Sequence, residues 1–122
     1  MKLEKLYLRD DSRFSVAIRD WAESKGVHTE EYEYRPTDDQ NADGLLLINE
    51  NQDIRKDMNE IHAHFDRRHI PTQKIDINGT LQVAINNYKM WRNSNKCSEI
   101  LVLGADELVD NENLQRFLNN LD

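Results

Sequence analysis

The most apolar unbroken run in the chain is Gly44-Leu-Leu-Leu-Ile48, near its middle. Turn-forming residues bound it, with Asp43 before and Asn49-Glu50-Asn51 after. A short run of this kind suits a strand covered on both faces, and such strands belong to parallel sheets with crossover helices. Two further apolar runs have the same form. Leu3 and Leu6-Tyr7-Leu8 stop at Arg9-Asp10-Asp11-Ser12, and Glu99 to Leu103 stops at Gly104-Ala105-Asp106-Glu107.

Helical periodicity fills the intervals. Phe14, Ala17, Ile18, Trp21 and Ala22 recur at three- and four-residue steps, and Gly26 follows where a helix C-terminus needs a left-handed residue. Val27 to Tyr34 alternates imperfectly and carries Glu30, Glu31 and Glu33, as an edge strand would. Arg35 to Asp43, with Pro36 and several aspartates, reads as a loop. Ile54, Met58, Ile61 and Phe65 form the stripe of a second helix that ends before Pro71, and Thr72 to Ile77 is a further strand. Leu114, Phe117, Leu118 and Leu121 predict a closing helix.

Lys74 to Ile85 admits two readings. As a hairpin, Asn78-Gly79 is a two-residue turn between alternating runs. As a strand-to-helix corner, Thr80 caps a helix whose inner face is Leu81, Ala84, Ile85, Tyr88 and Trp91. The helical pattern runs past Ile85 while the strand pattern stops, and a helix completes the alternation of strands with helices. The predicted order is therefore β-α-β-β-α-β-α-β-α over residues 1–122, a single α/β domain. This is a three-layer sandwich, flavodoxin-like or small Rossmann-like, with a mostly parallel five-stranded sheet. On that third helix Val83 and Met90 fall on the outer side, where they form a candidate face for a protein partner or a homodimer.

Charge and cysteine content narrow the setting. The chain has 23 acidic and 16 basic residues, a formal charge of −7, which opposes binding to phosphate backbones, so no nucleic-acid partner is expected. A single cysteine, Cys97, precludes an internal disulfide and fits a cytoplasmic location. No apolar run is long enough to span a bilayer, so no membrane association is expected.

Ligands of open α/β sheets bind at the carboxyl ends of the strands. The candidate binding residues there are Asp10, Asp11, Asn49, Asn78, Thr80 and Asp106. Asp10, Ser12, Asn51 and Thr80 equally suit plain helix capping. The four glycines are isolated, so neither the dinucleotide fingerprint nor the P-loop occurs, and no cofactor is predicted. No metal is predicted either. His62 and His64 point to different sides of a helix, and the Asp57, Glu60, His64 stripe reads as solvated ion pairs. Cys97 reads as a small buried residue and not as a nucleophile.

Several stretches bear family resemblances. The paired acids after the first strand resemble a response-regulator receiver, but Asn49 stands where its phosphoacceptor aspartate would be, and Gly104-Ala105-Asp106 lacks its lysine. Leu6 to Ser12, Gly26-Val27, Ala42 to Ile48 and Ile70-Pro71 resemble corresponding parts of TIR domains. The same spacing is similar to nucleoside deoxyribosyltransferases. Enzymes of both families use a helix glutamate at an N-glycosidic bond, and the resemblance assigns that role to Glu60. Two functions follow as expectations. The first is a non-catalytic α/β module that binds a protein partner or a small ligand. The alternative is an N-glycosidase or transferase on a nucleoside or NAD-like substrate, with Glu60 as its central carboxylate.

Overall fold

The structure, a computed structural model, describes residues 4–9, 12–32, 42–51 and 54–120. Its elements follow the predicted alternation. They are β1 (Lys5–Leu8), α1 (Arg13–Lys25), β2 (His28–Glu31), β3 (Gly44–Asn49), α2 (Lys56–Arg67), β4 (Thr72–Asp76), α3 (Leu81–Asn95), β5 (Glu99–Leu103) and α4 (Glu112–Leu118). A 3-10 turn, Asp106–Asp110, precedes α4 and had no signal in the sequence pattern. The predicted loop over Arg35 to Asp43 lies largely outside the described residues, as does Leu121.

The five strands lie in the order β2-β1-β5-β3-β4, and every pairing is parallel. β2 is an edge strand, as its charge implied, and Glu30 on it pairs with Lys5 of β1 at 3.3 Å. Two crossovers, β1 to β2 and β4 to β5, run one way along the sheet, while β3 to β4 runs the other. Right-handed crossovers then put α1 and α3 on one face and α2 on the opposite face. The two buried clusters show this division. Leu6, Leu8, Leu46, Ile48, Ile100 and Val102 point towards α1, α3 and α4. Their alternates Tyr7, Leu45, Leu47, Leu101 and Leu103 pack with Met58, Ile61 and Phe65 of α2. β3 is buried along its whole length, which is the physical content of its unbroken apolar run.

The disputed corner is a helix. Asn78 and Gly79 form a turn, and α3 begins at Leu81 with Ala84, Ile85, Tyr88 and Trp91 buried. Thr80 takes the N-cap position, but contrary to the expected capping its side chain makes no cap hydrogen bond. Ser12 does cap its helix, accepting from the Ser15 amide at 3.2 Å. Asn51 caps nothing. It adopts a left-handed φ of 56°, and α2 starts only at Lys56. Gly26 closes α1 at φ 73°, with its amide donating to Ala22 and Glu23.

The contrast between the two caps is measurable. Ser12→Ala should cost about 1 kcal/mol in urea unfolding, and Thr80→Ala should stay within about 0.5 kcal/mol of wild type. Equal losses would contradict the assigned caps.

Gly104, just after β5, makes a second test. A Cβ there would lie 2.5 Å from the Phe14 ring and 2.9 Å from Leu108 Cδ1, so there is no room for one. Gly104→Ala should lower stability by about 1–3 kcal/mol through overpacking. An unchanged urea midpoint would show that Phe14 can move aside.

Candidate functional site

β5 ends between two strands whose helices leave in opposite directions, α1 from β1 and α2 from beyond β3. This is the topological switch point of the sheet, where a crevice opens outside the strand ends. A cleft of about 300 Å³ occupies it. Its floor is Val102, Leu103 and Gly104, and Phe14 and Met58 add apolar wall. Its polar groups are Arg9 after β1, Ser12 and Ser15 at the start of α1, Arg55 and Asp57 at the start of α2, and Asp106 and Glu107 in the 3-10 turn.

Ion pairs cross this cleft. Arg9 Nη1 donates to Asp57 Oδ2 at 2.5 Å, joining the β1 end to α2. Arg55 Nη2 donates to Glu107 Oε1, joining the start of α2 to the 3-10 turn. Asp106 Oδ1 accepts from the Phe14 amide at 3.1 Å, so a carboxylate sits on the first turn of α1. Partial burial pushes the Asp57 carboxyl up, but the hydrogen bond and charge of Arg9 outweigh it and hold it below its ordinary value. The hydrogen bond from Arg55 likewise holds Glu107 low.

The other predicted residues sit elsewhere. Asn49 ends β3, buried, and lines a second cleft of about 440 Å³ with Ile54, Asn59, Lys74 and Asp76. Asn78 belongs to an amide network that ties the ends of β3 and β4 to α4. Asn111 Nδ2 donates to Glu50 Oε2 at 2.9 Å and to Asn78 Oδ1 at 2.6 Å. Asp76 Oδ1 accepts from the amides of Asn51 and Asn78. Thr80 is exposed. Glu60 is exposed on the second turn of α2 and lines neither cleft. Asp10 and Asp11 lie outside the described residues. Of the described members of the predicted binding set, the structure therefore brings Asp106 alone into the switch-point cleft.

Val83 and Met90 lie on the outer side of α3, 53% and 67% exposed. The stripe of Asp57, Glu60 and His64 is split by its surroundings. Asp57 turns to Arg9, Glu60 faces solvent, and His64 is buried with its ring edge-on to Phe65. Among the described residues no three His, Cys, Asp or Glu side chains gather as a metal site. Cys97 is buried, and burial with the nearby Asp43 carboxylate pushes its thiol up to about 11.

Arg55 was missed in the sequence, and Asp57 was read only as part of a solvated stripe and not as a cleft residue. Their partners are 52 and 48 residues away, and local pattern placed the start of α2 too early. Their one local signal was position, because both lie just beyond the carboxyl end of β3, at the edge where ligands of open α/β sheets bind.

No protein-family model matches the chain, and no curated protein matches it. Among solved structures it is similar to the "Putative molybdenum carrier protein" from Syntrophus aciditrophicus SB, with a TM-score of 0.73 and 15% sequence identity. The match covers 98% of this chain and 93% of that one. The fold is a small Rossmann-like α/β fold. At this identity the likeness concerns the fold alone.

The ion pairs give the site a pH signature. Because the Asp57 carboxyl is held low, its pair contributes fully above the ordinary 3.8 and is lost as pH falls through the lowered value. Both partners are partly exposed, so the gap in stability between wild type and Asp57→Asn should be at most about 1 kcal/mol at neutral pH. That gap should shrink as the pH falls below 3.8. Thermal melts at stepped pH check this, and a gap independent of pH would remove the ion pair as its source.

Proposed function

We propose that the chain is a non-catalytic α/β module that holds a small polar ligand in the switch-point cleft. The observation that carries this reading is the convergence of Arg9, Arg55, Asp57, Asp106 and Glu107 on one crevice at the end of β5. Three separate segments supply those side chains, and apolar residues floor the space between them. At about 300 Å³ the cleft is at the lower end of the range for ligand sites, which favours a ligand no larger than a mononucleotide.

The ionisable groups favour binding over chemistry. General acid–base work near neutral pH needs a group that titrates there, and Asp57 and Glu107 are shifted the other way. Ser12 Oγ is engaged on the Ser15 amide, and Cys97 is buried away from the cleft. The N-glycosidase alternative depends on Glu60, and no observation favours it, since that side chain lies outside both clefts. A partner on Val83 and Met90 has the exposure of those two residues in its favour.

The resemblance to TIR domains and nucleoside deoxyribosyltransferases brings nucleosides forward as ligands, and the description of the structural neighbour brings forward molybdate. A single cysteine supports a cytoplasmic setting. No helix among the described residues is long and apolar enough to cross a membrane.

Calorimetric titration of the full chain with adenosine, deoxyadenosine, AMP and molybdate tests the reading. Saturable binding of at least one compound is expected, and Ala105→Trp, which fills the cleft from a lining position beside Gly104, should abolish it without changing the melting temperature. Binding that survives Ala105→Trp, or no binding at all, would overturn the assignment. Release of nicotinamide from NAD, or of the base from a nucleoside, abolished by Glu60→Gln, would overturn its non-catalytic part.

A further inference from the structure

The cleft lies beside the first turn of α1, where free amides and positive helix-end charge would ordinarily receive a phosphate. Two of those amides are engaged. The Phe14 amide donates to Asp106 Oδ1 at 3.1 Å, and the Ser15 amide donates to Ser12 Oγ at 3.2 Å. The two cations of the cleft are engaged as well, Arg9 by Asp57 and Arg55 by Glu107. Among the described residues, two arginines thus face three carboxylates, and the lining carries no surplus positive charge. Both arginines keep further N–H donors, but each already shares its charge with a carboxylate, and the carboxylates keep acceptor capacity, because each offers about four lone-pair positions and these bonds use only some of them.

We infer that the cleft selects a neutral, hydroxyl-bearing ligand and rejects phosphate-like anions, with Asp106 as the residue that sets this preference. The inference rests on the cleft being the ligand site, as proposed above. Hydroxyl groups donate to the spare carboxylate oxygens, while the body of the ligand lies against Met58 and the Val102–Gly104 floor. A phosphate in the same space would meet the Asp106 carboxylate where it needs an amide, and at short range like charges repel strongly in a half-enclosed site. By chemical class the ligand is a nucleoside or a comparable ring-bearing polyol, and its phosphate ester is excluded.

The test compares adenosine, AMP and molybdate on wild type, Asp106→Asn and Asp106→Ala, with melting temperatures confirming that each variant folds. Asp106→Asn removes the charge yet keeps an oxygen for the Phe14 amide, and Asp106→Ala also frees that amide. Wild type should bind adenosine, with AMP weaker by about tenfold or more. In both variants the adenosine-to-AMP preference should fall by at least that factor, with AMP gaining and adenosine losing the Asp106 acceptor, and high salt should narrow the wild-type difference. AMP or molybdate binding wild type as well as adenosine does would overturn the selectivity and leave the ligand site standing. So would an adenosine-to-AMP ratio unchanged in Asp106→Asn. If none of the three compounds binds wild type or either variant, the ligand site fails together with the selectivity.

Discussion

The sheet depends on one strand. β5 pairs with β1 on one side and β3 on the other, and among the described strands nothing else joins the β2-β1 ribbon to the β3-β4 ribbon. It is the last strand in the chain yet the central one in space, so the sheet closes only after most of the chain has been made. Such non-local pairing requires loop-closure entropy to be overcome before its contacts contribute. The composition of β5 meets that demand. Ile100, Leu101, Val102 and Leu103 are all buried and serve both core clusters by alternating between faces. Each fully buried side chain of this size contributes roughly 1.5–3 kcal/mol.

The same position of β5 creates the cleft. Because the helices of its neighbours depart to opposite faces, no helix covers its carboxyl end, and the crevice is a necessary product of the topology. The chain spans that opening with charge. Arg9–Asp57 and Arg55–Glu107 link segments that the sheet alone leaves apart. Asp106 binds the 3-10 turn to α1 through the Phe14 amide, and Gly104 lets the Phe14 ring lie beneath that junction. Stability and the proposed recognition thus draw on the same side chains. A ligand that competed for the arginines would have to break the ties between layers, whereas one that donates to the carboxylates would leave them intact.

The far end of the carboxyl edge does different work. Asn111 binds Glu50 and Asn78, Asp76 receives two backbone amides, and Asn113 Nδ2 donates to the Ile77 carbonyl at 2.8 Å. These bonds fasten α4 to the ends of β3 and β4. Amides suit this task, since each carries both donors and an acceptor and can serve two partners without introducing charge. The polar residues of Asn78-Gly79-Thr80 are therefore accounted for mainly by architecture.

Periodicity settled much in advance. The apolar runs at Leu6–Leu8, Gly44–Ile48 and Glu99–Leu103 specify buried strands, and the stripes from Phe14, Ile54 and Leu81 specify helices, because burial on one or two faces leaves a repeat readable in a single chain. Ser12 and Gly26 were legible for the same reason, since capping is local chemistry. Thr80 carried the same signal without a cap hydrogen bond, and Asn51 carried it without being the N-cap of α2. Which strands became neighbours, where α2 began, and the 3-10 turn after β5 were not legible, because each depends on segments far apart in the chain. The candidate site belongs to that second group. Sequence alone placed Asp106 at the right edge of the sheet, but only the tertiary structure brought it to the α1 amide beside Arg9, Arg55, Asp57 and Glu107, because charge pairing acts through space and leaves no period along the chain.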